Sequence, residues 1–348
     1  MHLFFSQAQL LHQPQQFMAA GRVVQPLENP DRVTMLAKAL TAIGLQVMDS
    51  GDHGMEAIRA VHDADFLAFL ETACAEWRAF PGSGPEVWPN IHPYRGTGAD
   101  LARTKAPATG IIGRAGWYIG DMACAMGEGT WAAAYASAQT AIAAANAVLT
   151  GHDAAFGLCR PPGHHAYRDR ASGFCFLNNA AIAAERLRQR FGRVAILDFD
   201  THHGDGTQAI FYARDDVFVG SCHTDPTAYY PYYSGFAQET GLGDGLGTTL
   251  NIPLPEGSGD AAYIAACQSL ADAARRFGAE ALILSAGWDA HREDPLSKLQ
   301  VTTQAYAEIG ALLGALRLPT VILQEGGYSL KAAGEAAPAF VSAFRSHR

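Results

Sequence analysis

Residues Val194, Ala195, Ile196 and Leu197 run without a polar side chain into Asp198-Phe199-Asp200-Thr201-His202-His203-Gly204-Asp205-Gly206. An apolar run this short, ending this abruptly, reads as a buried strand that delivers its polar tip to a pocket. Three carboxylates and two imidazoles arrive together at that tip. They combine hard oxygen and borderline nitrogen donors, the ligand set of a divalent metal such as zinc.

The remaining chain repeats the pattern. Short apolar runs at 154–159, 217–223, 248–254, 281–287 and 320–325 read as strands, as does 194–200. Alanine-rich amphipathic stretches at 180–191, 261–277 and 303–316 predict helices between several of them. Strand–helix alternation implies an α/β fold, a parallel sheet with helices on both faces. Residues 130–149 predict a long helix that stops at Gly151. Upstream, 3–6 reads as a strand, and 30–43 and 64–78 as helices. The stretch at about 81–116 is rich in Gly, Pro and Arg and has little periodicity. A long loop of this kind inside a compact fold points to function. No repeat or linker interrupts the chain, so one domain is expected over 1–348, with an inserted loop at about 81–116.

A net charge of −9 argues against a nucleic-acid partner and is compatible with a cationic substrate. The six cysteines form no C-x-x-C pair and read as reduced buried thiols. The first residues lack a basic segment followed by a full apolar one, and no window approaches a membrane span. A cytoplasmic protein is expected.

In open parallel sheets, ligands bind beyond the carboxyl ends of the strands. Polar clusters follow five of the candidate strands: Arg160 to His165, the Asp198–Asp205 run, Ser221 to Asp225, Ser285 to His291, and Gln324 to Tyr328. Asp200 and His202 are two apart and would share a side of an extended strand. Asp289 is a candidate to complete a three-ligand site with an open position, as catalytic zinc requires. His164 and His165 are natural proton carriers near a metal, with Asp198 and Asp205 as candidate orienting partners and Tyr328 as a candidate hydroxyl for a developing oxyanion. Taken singly, each has a plainer explanation. His203, His223 and His291 read as hydrogen-bonded core residues, and Asp205, Asp225 and Glu325 as turn residues. A structural cause alone would not put the whole set at strand ends.

These motifs resemble the zinc-dependent histone deacetylases and acetylpolyamine amidohydrolases, in a bacterial, class II-like form. The matching runs are Arg160 to Ala166, Gly173 to Asn179, Asp198 to Thr207, Ser285 to Asp289 and Glu325 to Tyr328; Val61-His62-Asp63 with Phe66 and Phe69 is similar to the family's early helix. The resemblance implies a three-layer arginase/deacetylase-like domain around a mostly parallel eight-stranded sheet. It implies removal of acetyl or a similar short acyl group from a primary amine by metal-activated water. Asp200, His202 and Asp289 match the zinc ligands, one ion per chain. His165 matches the general base, and His164 its neighbour that supplies charge and a proton to the leaving amine. Tyr328 matches the oxyanion donor, with Asp198 and Asp205 behind the histidines. A structural potassium is implied at Asp198, Asp200, His202, Ser221 and Cys222. Gly173 and Phe174 match the tunnel wall.

Substrate divides the resemblance. The insertion with Trp117, Tyr118 and Trp131 is similar to the acetylpolyamine enzymes, where it builds a homodimer and narrows the tunnel. Their two acidic positions fall on Ile112 and Ala123. Asp294-Pro295-Leu296 is more similar to class II lysine deacetylases, with Leu296 facing the mouth. Acyl-lysine and acetylpolyamine both remain open as small cationic substrates. Other chemistries for the same motifs are a binuclear manganese ureohydrolase of the arginase type and a non-catalytic acyl-ligand binder.

Overall fold

A computed structural model describes residues 1–93 and 110–348. The first part of the chain forms β1 (His2–Phe5), a short 3-10 helix (Gln7–Leu11), the hairpin of β2 (Phe17–Ala19) and β3 (Arg22–Val24), α1 (Asp31–Ala42), β4 (Gln46–Asp49), α2 (Glu56–Val61) and α3 (Ala64–Ala79). Then come α4 (Ile111–Tyr118), α5 (Thr130–Leu149), β5 (Ala154–Gly157), α6 (Asn179–Leu187), β6 (Val194–Asp198), α7 (Asp205–Phe211), β7 (Val217–Thr224) and β8 (Thr249–Leu254). The chain closes with α8 (Asp260–Phe277), β9 (Ala281–Ala286), α9 (Thr303–Gly314), β10 (Thr320–Gln324) and α10 (Leu330–Ser346).

Eight strands form one sheet in the order β4-β1-β5-β10-β9-β6-β7-β8, and every pairing is parallel. The expected mostly parallel sheet is therefore wholly parallel. Its central strands show why their sequences are continuously apolar. Along β6, Val194 and Ile196 enter one core while Ala195 and Leu197 enter the other. Along β9, Ala281 and Ile283 alternate in the same way with Leu282 and Leu284. Successive side chains point to opposite faces, so a strand covered on both sides has no solvent face to make polar. α5 and α6 cover one face with small residues such as Ala138, Ala141, Ala180 and Ala184; α8, α9 and α10 cover the other. No helix among the described residues is long and apolar enough to cross a membrane.

The structure departs from the sequence expectation in several places. β4 and the β2–β3 hairpin lack a clear apolar pattern, because their residues are half-buried or exposed. The stretch expected to be a loop to residue 116 instead enters α4 at Ile111; residues 94–109 of that stretch lie outside the described residues. The metal-motif strand ends at Asp198, two residues earlier than expected. Gly204-Asp205-Gly206 opens α7 rather than making a simple turn. Asp205 in that first turn is also favoured by the helix dipole.

Candidate metal centre

The order of the sheet gathers the site. β10, β9 and β6 are adjacent, and their carboxyl ends lead to Tyr328, Asp289 and the pair Asp200 and His202. The flanking strands β5 and β7 lead to His164 and His165 on one side and to Tyr229 and Tyr230 on the other.

Asp200 and His202 come together through a turn beyond β6, not through strand alternation. Asp200 Oδ1 accepts the backbone N–H of His202 at 2.9 Å and lies 3.0 Å from its Nδ1. Asp289 Oδ2 is 3.3 Å from the same Nδ1. Ligand atoms of Asp200, His202 and Asp289 all fall within 4.8 Å of one another, and all three residues are buried. Asp200 Oδ2 accepts Gly326 N–H at 2.8 Å. Asp289 Oδ1 accepts Thr201 N–H at 3.1 Å, but its Oδ2 is buried without a hydrogen-bond partner. Burial and the neighbouring Asp200 charge push the Asp289 carboxyl up to about 7. Two buried carboxylates sharing one imidazole, with an oxygen left over, leave negative charge that a divalent cation would neutralise. The donor set therefore fits zinc, with three protein ligands. Gly326 is needed here, since a Cβ at that position would overlap both carboxylates.

Beside this cluster the two imidazoles lie 4.0 Å apart between ring centroids. His164 Nδ1 donates to Asp198 Oδ2 at 2.9 Å, and His165 Nδ1 to Asp205 Oδ1 at 2.6 Å. Burial alone would lower His164, but Asp198, Asp200 and Glu325 outweigh it and hold the imidazole well above its ordinary value. His165 is lowered by burial and by the charge on His164, against the pull of Asp205. Tyr167 donates its hydroxyl to Asp205 Oδ2 at 2.7 Å, which fixes that carboxylate. Glu325 is more than a turn residue. Its Oε2 accepts the backbone N–H groups of Gly163 and His164 at 2.7 and 3.1 Å, clamping the loop that carries both histidines.

A cavity of about 810 Å³ opens from His165, His202 and Tyr328 to the surface. Gly173, Phe174 and Leu296 line it. Gly173 (φ +53°) and Phe174 (φ +68°) both sit in the left-handed region. A side chain at Gly173 would strike the His165 ring. Phe174 stands between Phe17 (5.2 Å) and Tyr328 (5.9 Å). Ala123 also lines the cavity, whereas Ile112 does not: on α4 it packs against the core. Ser221 and Cys222 lie on β7, where Ser221 pairs in register with Asp198.

Several residues at the site lie outside the motifs. Phe17 comes from the unrecognised hairpin. Tyr230 meets His165 edge-on at 4.9 Å and 89°, and donates its hydroxyl to Asp121. Arg32 reaches the carbonyls of Gly327 (2.7 Å) and Glu325 (2.6 Å), and its guanidinium lies 4.5 Å over the Tyr328 ring. An arginine in the first turn of α1, unfavourable for the helix dipole, was the only signal it offered.

The histone deacetylase domain model matches residues 26–344. The chain is 46% identical over 346 residues to an acetylpolyamine amidohydrolase of Burkholderia pseudomallei (strain 1710b), covering 99% of each chain. It is 40% identical over 339 residues to an acetylpolyamine amidohydrolase of Mycoplana ramosa, covering 96% of each. A crystal structure of acetylpolyamine aminohydrolase from Burkholderia pseudomallei superposes with a TM-score of 0.95 at 46% identity, covering 100% of this chain and 99% of that one. With its parallel sheet, buried ligand cluster and full-length relatives, the chain belongs to the histone deacetylase family and is a deacetylase, a hydrolase of amide bonds.

Proposed function

We propose that this protein removes acetyl or a similar short acyl group from a primary amine on a small cationic substrate, with acetylpolyamine as the first choice. The observation that carries the reading is the buried Asp200–His202–Asp289 cluster with its unpartnered Asp289 Oδ2, at the inner end of a cavity. Those three residues would hold one zinc ion. When bound, zinc supplies Lewis acidity toward the amide carbonyl and acidifies the attacking water.

The protein's own groups supply the rest. His165 is the neutral imidazole of the pair and takes the proton of the attacking water; Asp205 holds its Nδ1–H, which leaves Nε2 as the acceptor. His164, kept charged by its carboxylate neighbours, donates a proton to the departing amine. Burial holds the Tyr328 phenol well above its ordinary value, so it keeps its proton and donates to the developing oxyanion. Phe174, Gly173 and Leu296 wall the acyl-amine, and aromatic faces suit a cationic chain. Asp198, Asp200, His202, Ser221 and Cys222 would also hold a structural potassium, partly through backbone oxygens. The chain would act as one domain over 1–348 and as a homodimer through the insertion at about 81–116; a monomeric mass in solution would contradict the dimer. Asp294 does not supply the bridging carboxylate of a two-metal ureohydrolase, since it accepts backbone N–H groups of Leu296, Tyr328 and Ser329.

A second reading, acyl-lysine, has its own support. Arg170 and Lys298 line the cavity, and Ala123 stands there without a carboxylate. The test is a comparison of kcat/KM on acetylputrescine, acetylspermidine and acetyl-lysine peptides. Acetylpolyamine as the substrate predicts the first two to be preferred; a preference for the peptides supports the second reading.

A further inference from the structure

We propose that Tyr229 is a positioning residue for the metal centre: its hydroxyl fixes the proton of the His202 imidazole on Nε2 and so reserves Nδ1 for a divalent cation. The inference rests on the reading of Asp200, His202 and Asp289 as metal ligands.

Tyr229 Oη lies 2.9 Å from His202 Nε2 and also hydrogen-bonds the backbone carbonyl of Leu296. A phenol has one proton, and a carbonyl oxygen can only accept. The Tyr229 proton is therefore committed to Leu296. Toward His202 the phenol oxygen is left as an acceptor, so Nε2 must carry a proton. Nδ1 faces Asp200 Oδ1 and Asp289 Oδ2, which only accept, so a divalent cation seated between those carboxylates would replace the proton on Nδ1 and use its lone pair while Nε2 keeps its own. The nitrogen that binds a metal is set by the hydrogen bond made by the other one. Stacking adds orientation: the Tyr229 and His202 rings are 14° from parallel with centroids 4.9 Å apart.

The Leu296 carbonyl is anchored in turn. Leu296 N–H donates to Asp294 Oδ1 at 3.0 Å, and Asp294 Oδ2 accepts the N–H groups of Tyr328 (2.6 Å) and Ser329 (2.8 Å). The short segment from Asp294 to Leu296 thus steadies the oxyanion donor directly and the metal ligand through Tyr229. A run that reads in sequence as part of the tunnel mouth is also a strut behind the ligand.

Tyr229→Phe keeps the stacked ring and removes the acceptor. Zinc affinity, measured by competition with a chromophoric chelator, should fall about 10- to 100-fold. Tyr328→Phe, which removes a hydroxyl from the same cavity without touching His202, should bind zinc as wild type does. Imidazole 15N resonances of the zinc-loaded wild-type protein give a second readout that needs no variant: His202 should show metal on Nδ1 and a proton on Nε2. Unchanged zinc affinity in Tyr229→Phe, or metal on His202 Nε2, overturns this inference alone. A wild-type protein that binds no zinc overturns the metal-centre reading and this inference with it.

Discussion

His164 and His165 place their rings 4.0 Å apart, yet each donates its Nδ1–H to a different carboxylate, Asp198 for one and Asp205 for the other. Their surroundings push them in opposite directions. Asp198, Asp200 and Glu325 overcome the cost of burying a charge on His164, whereas burial and the charge of His164 keep His165 neutral. Titratable groups driven apart in this way support the proposed division into an acid, His164, and a base, His165.

His165→Ala should therefore lower kcat by about 10²–10⁴-fold, the usual contribution of a positioned base. Asp205→Asn should have a more specific signature. Losing a negative charge 2.6 Å from Nδ1 lowers the His165 pKa further. The acidic limb of kcat/KM against pH should move to lower pH while the plateau falls. An acidic limb that stays in place would show that Asp205 does not act through His165.

Tyr328→Phe should lower turnover by about 10²–10³-fold while the protein stays folded, as loss of an oxyanion donor does. The Phe174 and Arg32 contacts are made by the ring, so packing is retained. Undiminished turnover would remove Tyr328 from the mechanism.

The proposed catalytic set could be picked out in sequence because its residues follow strands whose apolar runs announce themselves. Asp200, His202, Asp289, His164, His165 and Tyr328 all sit just past β5, β6, β9 or β10. Arg32 and Tyr229 were not legible, since they act through contacts across 293 and 27 positions in sequence. The β2–β3 hairpin was missed for a different reason. Its strands have three residues each, too short for an alternating pattern, yet it brings Phe17 to Phe174. Ile112 shows the limit of carrying a position across a family, because on α4 it packs half-buried against the core and does not line the cavity.

Glu28 is the buried counter-ion of two arginines. Its carboxylate accepts Arg32 Nη1 at 3.0 Å and Arg160 Nε and Nη2 at 2.7 and 3.0 Å. Glu28→Gln strands both cations in the core and should cost about 3–5 kcal/mol of stability. Chemical denaturation measures this directly; a loss below about 1 kcal/mol would place the network near solvent-exposed pairs in importance.

Acid should weaken the fold through histidines buried in neutral form. Burial drops His12 and His62 from 6.5 to about 4. His62 Nε2 also accepts the Asn178 N–H at 2.9 Å, a bond that protonation of that nitrogen removes. Between those pKa values the unfolded chain binds protons that the native one does not. Their stabilisation is full above about pH 6.5 and is lost as pH falls toward about 4, at up to about 1.4 kcal/mol per unit for each group. His62→Gln should flatten the fall in melting temperature across that window. A wild-type melting temperature that does not fall in this window would contradict the assignment.

Everything proposed for the site depends on a single catalytic metal at Asp200, His202 and Asp289. The most direct measurement is acetate release from acetylputrescine and from an acetyl-lysine peptide by chelator-stripped protein titrated with zinc. One metal per chain at this cluster predicts no turnover without metal, and recovery that is complete at one zinc per chain. Full turnover by the stripped protein, or recovery that needs two ions per chain, would contradict it.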